Sequence, residues 1–150
     1  MSWVRGYIHM VFSTKNRALF LDSQDLSREV FQHLKQNSEE KDIWLDCVNG
    51  HQDHAHCLLF LGKEQTISKV VQLIKGESSY WINKNKLTKD KFSWQDDYWV
   101  VGVSESDLES VRKYIHNQEE HHSKRLFNDE INEFMERYGW NLIKNDAKAK

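Results

Sequence analysis

The sequence predicts an α+β domain, an antiparallel sheet with helices against one face, on three observations. Short runs rich in β-branched and aromatic residues recur at four places, as half-buried strands require. Between them, apolar residues return at helical spacing in two longer segments. The resulting order is strand, helix, strand, strand, helix, strand, the split βαβ arrangement (βαββαβ) of ferredoxin-like folds. Such a fold leaves its second sheet face for a ligand, a partner or added helices.

Residues 4–14, "VRGYIHMVFST", form the first predicted strand. Ser23 caps a helix to about Lys41, with Leu26, Val30, Phe31 and Leu34 as its apolar stripe. "IWLDCVNG", 43–50, is the second strand, with Asn49-Gly50 as a turn signal. "HAHCLLFL", 54–61, is the third. Thr66 opens a long helix carrying Ile67, Val70, Val71, Ile74, Trp81 and Ile82. After a lysine-rich loop, a strand is predicted at 98–104, "YWVVGVS". Ser104 or Ser106 then caps a helix over about 106–122. A short last helix is expected at 127–138, and 141–150 as a frayed tail.

With 150 residues, no proline and no internal repeat, one domain over 1–150 is the simplest organisation. A chain of this size buries about two thirds of its unfolded surface and needs no staples. Its two cysteines, Cys47 and Cys57, form no disulfide framework, which suits a reducing cytoplasm. No stretch reaches the ~18 apolar residues of a membrane span, and the N-terminus lacks a signal-peptide pattern. A soluble cytoplasmic protein is expected. The net charge of −2 carries no global bias toward nucleic acid. Residues 63–91, however, hold seven lysines against three acids, a local excess that suits either a phosphate backbone or an exposed helix face.

The chemistry-bearing stretch is "HQDHAHCLLF", 51–60, with three histidines in six positions. Strand residues two apart share a face, so His54 and His56 stand side by side, with Leu58 and Phe60 continuing the row. Two such imidazoles can chelate one divalent cation, or can be a buried pair satisfied by backbone carbonyls. The helix at 106–122 offers a third ligand and a reactive group. Tyr114 and Gln118 lie four apart on one face, at the edge of the stripe of Leu108, Val111 and Ile115. Gln118 brings a carbonyl oxygen suited to a hard cation, and Tyr114 a phenol.

Taken together, these segments resemble the single-tyrosine transposases of the HUH nuclease superfamily. The similarity is to their IS200-like group, which includes the REP-associated tyrosine transposases. The motifs run in order: "HMVFSTKNR", "DHAHCLLF", "IKGESSYWIN", "FSWQDDYWVVGVSES" and "VRKYIHNQEEHH". The resemblance implies Tyr114 as nucleophile, with His54, His56 and Gln118 binding a divalent metal, Mg²⁺ or Mn²⁺. It implies cleavage and rejoining of single-stranded DNA with hairpin ends, through a covalent 5′-phosphotyrosine, by a homodimer. No small-molecule substrate is implied. Candidate DNA contacts are Lys15, Arg17, Lys75, Lys84 and Lys86, while Trp81 suits either core packing or base stacking.

A free tyrosine has a pKa near 10, so forming the phenolate at neutral pH costs about 4 kcal/mol. In-line positioning and charge neutralisation at the phosphate can offset that. Imidazole favours softer ions than Mg²⁺, so two histidines and an amide suit Mn²⁺ better. The sequence leaves open whether Tyr114 works in cis or in trans. His121 and His122 could compete for metal, and His51 with Cys47 matches no standard zinc spacing. Among rival readings, a histidine-triad hydrolase needs a third alternating histidine where Leu58 stands. A non-catalytic ferredoxin-like nucleic-acid module needs exposed strand aromatics. A domesticated nuclease with a host role fits the same residues.

Overall fold

The computed structural model describes residues 1–118 together with 129, 130, 132, 133 and 136. It separates into two units, Met1–Gln118 and Glu119–Lys150. In the second, the five described residues are helical, within the helix predicted at 127–138. His121, His122 and the predicted tail lie outside the described residues.

The first unit is the α+β fold that the element order predicts. Its strands are β1 (Gly6–Ser13), β2 (Trp44–His51), β3 (His54–Leu61) and β4 (Trp99–Val103), and its helices α1 (Gln24–Glu40), α2 (Ile67–Lys84) and α3 (Leu108–His116). The sheet order is β2-β3-β1-β4 with every pair antiparallel, so β1 and β3 are central. The caps act as expected: Ser23 Oγ accepts from the Leu26 amide at 3.1 Å and Thr66 Oγ1 from the Lys69 amide at 3.2 Å. α3 starts later than predicted. A 3₁₀ turn at Glu105–Asp107 precedes it, and Ser104 Oγ donates to Asp107 Oδ2 at 2.9 Å instead of capping the helix.

Alternation along the central strands makes two different faces. Ile8, Met10 and Phe12 of β1 and Ala55, Cys57 and Leu59 of β3 meet α1 and α2 through Val30, Phe31, Leu34, Val70, Val71, Ile74 and Ile82. Phe92 and Trp94 complete this core, and the Trp94 indole N–H donates to buried Ser78 Oγ at 2.9 Å. On the opposite face, α3 packs through Leu108, Val111, Tyr114 and Ile115 against Tyr7, Cys47, Leu58 and Val103.

Asn49-Gly50 is not the turn. β2 continues to His51, which pairs with His54, and the chain reverses at Gln52 and Asp53. The glycine answers a different need. A Cβ on Gly50 would lie 2.1 Å from the His54 carbonyl oxygen and 2.9 Å from both Ala55 Cα and Phe31 Cζ. Gly50 is where α1 comes down onto the hairpin that carries the histidines. Turn chemistry and close approach both select glycine, and the sequence alone does not separate them.

Candidate metal and tyrosine site

His54 and His56 point from β3 to the face that α3 covers, and both are buried. Their ring centroids are 5.1 Å apart and nearly perpendicular. The spacing read from the sequence therefore does put two imidazoles side by side. Gln118, just past the end of α3, is also fully buried. Its Nε2 donates to the Tyr114 carbonyl at 3.3 Å, which turns its Oε1 toward His54 Nε2 at 3.1 Å.

The hydrogen-bond directions at this corner decide what it can hold. His54 Nδ1 lies 2.8 Å from Asp53 Oδ1, and a carboxylate oxygen only accepts. The His54 proton therefore sits on Nδ1, and in the neutral ring Nε2 carries a lone pair. In that neutral form the lone pair faces the amide oxygen of Gln118 across 3.1 Å, whereas a ring protonated on both nitrogens donates to Asp53 Oδ1 and Gln118 Oε1 alike. A cation between the two atoms would satisfy the neutral form, and a carboxylate behind a histidine ring is the usual support where such a ring is a ligand. The donor set fits a divalent ion. Two imidazole nitrogens and an amide oxygen suit Mn²⁺, and accommodate Mg²⁺ when further oxygens come from substrate or water.

Tyr114 lies next to this corner within the same chain. Its ring centroid is 5.5 Å from that of His56, edge to face at 77°. α3 crosses the face that β3 presents and ends at His116, earlier than the predicted 122, so Tyr114 reaches the histidine pair from the helix and Gln118 from just beyond its end. Two salt-bridged contacts of Arg112 with Asp46, at 2.8 and 3.2 Å, tie α3 to β2. Asn49 Nδ2 adds a bond to the His116 carbonyl at 3.2 Å. Asp46 and Glu109 together hold the Arg112 guanidinium well above its ordinary pKa.

The candidate DNA contacts divide. Lys15 and Arg17 form a 3₁₀ turn directly after β1, and the Thr14 amide donates to the Asp53 carbonyl at 2.8 Å, so the turn adjoins the His54 end of the hairpin. Asn16 and Arg17 hold left-handed backbone angles there, with φ of 57° and 55°. Lys84 and Lys86 stand at the end of α2, on the other side of the sheet from His54 and His56. Lys75 turns inward: its ammonium donates to the carbonyls of Gln95 and Asp96, and desolvation pulls its pKa below the ordinary lysine value. Trp81 packs against the core edge and stacks on His33, 3.8 Å between centroids at 6°.

Two neighbours of the histidine pair escape the sequence reading. Asp53 precedes His54, and its proximity in sequence was the available signal. His9, on β1, is buried, and its Nε2 is 2.9 Å from His56 Nδ1. Its ring lies 6.2 Å from that of Tyr114. A histidine in the sequence run "YIHMVF" gives no hint of this, since the contact depends on which strand lies beside β3.

The fold and the site define an antiparallel ferredoxin-like domain with a buried histidine pair set against a helix-borne tyrosine. The family model described as "Transposase IS200 like" matches residues 2–118, and the chain belongs to that family of transposases. Among solved structures, one from Deinococcus radiodurans R1 assigned as a transposase shares 22% identity, with a TM-score of 0.63. The match covers 78% of this chain and 93% of that one. A REP-associated tyrosine transposase bound to a REP hairpin shares 16% identity with a TM-score of 0.57, covering 81% of this chain and 72% of that one. At these identities the two structures speak for the fold. No curated protein matches the chain. Among the described residues no helix is long and apolar enough to cross a membrane.

Proposed function

We propose that this transposase cuts and rejoins single-stranded DNA beside hairpins, with Tyr114 as nucleophile and His54, His56 and Gln118 holding Mg²⁺ or Mn²⁺. The observation that carries the reading is the meeting of His54 Nε2 and Gln118 Oε1 at 3.1 Å beside the Tyr114 ring, all in one chain. When bound, the ion supplies Lewis-acid polarisation of the scissile phosphate.

The chain's own residues do the rest. The Tyr114 phenol oxygen forms a bond to phosphorus as the bond to the 3′-oxygen breaks. The phenol proton is released, and the departing oxygen takes up a proton to become a 3′-OH. One phosphodiester replaces another, so a second 3′-OH can reverse the step and join a new strand. α3 fixes the tyrosine against the sheet, which reduces the entropy lost on reaching in-line geometry. The same-chain proximity of Tyr114 and His56 favours action in cis, with each subunit of a homodimer carrying a complete set. Of the five candidate contacts, Lys15 and Arg17, beside the histidine end of the hairpin, are the best placed to hold the strand near the cut. Phosphate contacts of this kind make binding fall with added salt.

The test is incubation of the purified protein with Mn²⁺ and single-stranded hairpin DNA carrying a 5′ flank, followed by denaturing electrophoresis. The expected result is a detergent-stable protein–DNA adduct that requires the metal and disappears in Tyr114→Phe. Cleavage that survives Tyr114→Phe overturns the assignment of the nucleophile. Hairpin binding without any cleavage by the wild-type chain favours a non-catalytic binding module.

A further inference from the structure

Each ligating histidine has to present one ring nitrogen to the ion, and a hydrogen bond at the other nitrogen selects which one. For His54 that bond comes from its own chain neighbour, Asp53. For His56 it comes from a different strand. His9 lies on β1 opposite Leu58, diagonal to His56, and its Nε2 reaches His56 Nδ1 at 2.9 Å in a buried setting. The two rings are tilted by 31° with centroids at 5.1 Å.

We infer that His9 is the positioning residue for His56: it accepts the His56 Nδ1–H at its own Nε2 and so keeps the lone pair of His56 on Nε2. The inference rests on the metal-site reading above. Its logic is one of proton direction. If His9 donated instead, the His56 proton would lie on Nε2, and that nitrogen could not serve as a ligand. His9 must therefore carry its own proton on Nδ1. His54 and His56 are thus supported by two different devices, a carboxylate from the hairpin turn and an imidazole from the neighbouring strand. Both supports come from residues that do not themselves join the ligand set.

The requirement is an acceptor at the place of His9 Nε2, which is four bonds from Cα. Glutamine places Oε1 at the same bond count, whereas phenylalanine keeps the ring and has no acceptor. The experiment compares wild type, His9→Gln and His9→Phe in Mn²⁺ titrations followed by electron paramagnetic resonance. The metal-free proteins are compared by imidazole ¹⁵N spectra, which report the tautomer of His56. Thermal unfolding checks that each variant is folded.

The expected result is an Nδ1–H tautomer for His56 in wild type and His9→Gln, lost in His9→Phe. Loss of a partner of this kind weakens metal affinity about 10- to 100-fold. The Mn²⁺ dissociation constant of His9→Phe should rise by that factor, and His9→Gln should recover most of it. Equal affinity in all three folded proteins overturns the positioning role and leaves the metal site standing. Equal weakening in both variants also overturns it, since the ring and not the acceptor would then matter. Failure of the wild-type chain to bind Mn²⁺ overturns the metal-site reading itself. An unfolded His9→Phe shifts the decision to His9→Gln and its His56 tautomer, where an Nε2–H form refutes the inference.

Discussion

Gly50→Ala should damage both the fold and the site, and the structure sets the size of the effect. The added methyl would sit 2.1 Å from the His54 carbonyl oxygen, 0.9 Å inside the 3.0 Å limit that real Cβ contacts respect. Two of its three close neighbours are backbone atoms of β3, at His54 and Ala55, and the third is the Phe31 ring of α1. None is the end of a flexible side chain, so the strand or the helix has to move. Overpacking of this kind costs about 1–3 kcal/mol, and a clash with a central strand belongs at about the upper end. For a chain of this length about 3 kcal/mol lowers the Tm by about 6–12 °C. The displaced backbone is that of His54, so Mn²⁺ affinity should fall as well. Gly76→Ala is the control: it lies in α2 with nothing within 4 Å of the added atom. There alanine should stabilise by about 0.5–1 kcal/mol through helix propensity. Thermal unfolding by circular dichroism reads both. A Gly50→Ala protein melting within about 2 °C of wild type would refute the close-approach argument.

Three further outcomes are expected. Ser78→Ala strands the buried Trp94 N–H and should cost about 1–3 kcal/mol in urea unfolding, whereas pairing it with Trp94→Phe should cost less than the two changes added. Lys75→Met should lower the Tm by loosening the segment before β4, a loss of about 1 kcal/mol because the amine is partly solvated, while Lys86→Met leaves the Tm unchanged. Burial, with the charge of Asp46 in support, pushes the Cys47 thiol up from 9.0 to about 11. The folded chain therefore keeps a proton that the unfolded chain releases: the contribution is whole below pH 9 and lost as pH rises to about 11. The stability difference between wild type and Cys47→Ala should shrink across that window, and a constant difference would show that Cys47 ionises alike in both states.

The His54–His56 pair was legible because it depends on one strand's local period, and the Tyr114–Gln118 pair because four-residue spacing keeps them close even though α3 ends at His116 between them. A strand turns alternate side chains to one face and a helix returns every fourth, whatever the rest of the chain does. The same periodicity exposed the stripes of α1 and α2, and hence the βαββαβ order. Local chemistry was ambiguous at Asn49-Gly50, where a turn and a crowded strand call for the same residue. It was also silent about Lys75, whose role depends on the backbone carbonyls of Gln95 and Asp96 lying within reach.

By itself the sequence determined the elements, the face each one offers and the places of the histidine pair and the tyrosine on them. Only the tertiary structure decided that β1 lies beside β3, that His9 thereby meets His56 from 47 positions away, and that α3 folds back so that Tyr114 stands over its own chain's histidines. The physical reason is range. Side-chain direction within one element is set by backbone geometry over a few residues. The choice of neighbouring strand and the docking of a helix follow instead from burying apolar surface across the whole chain, which no short stretch of sequence records.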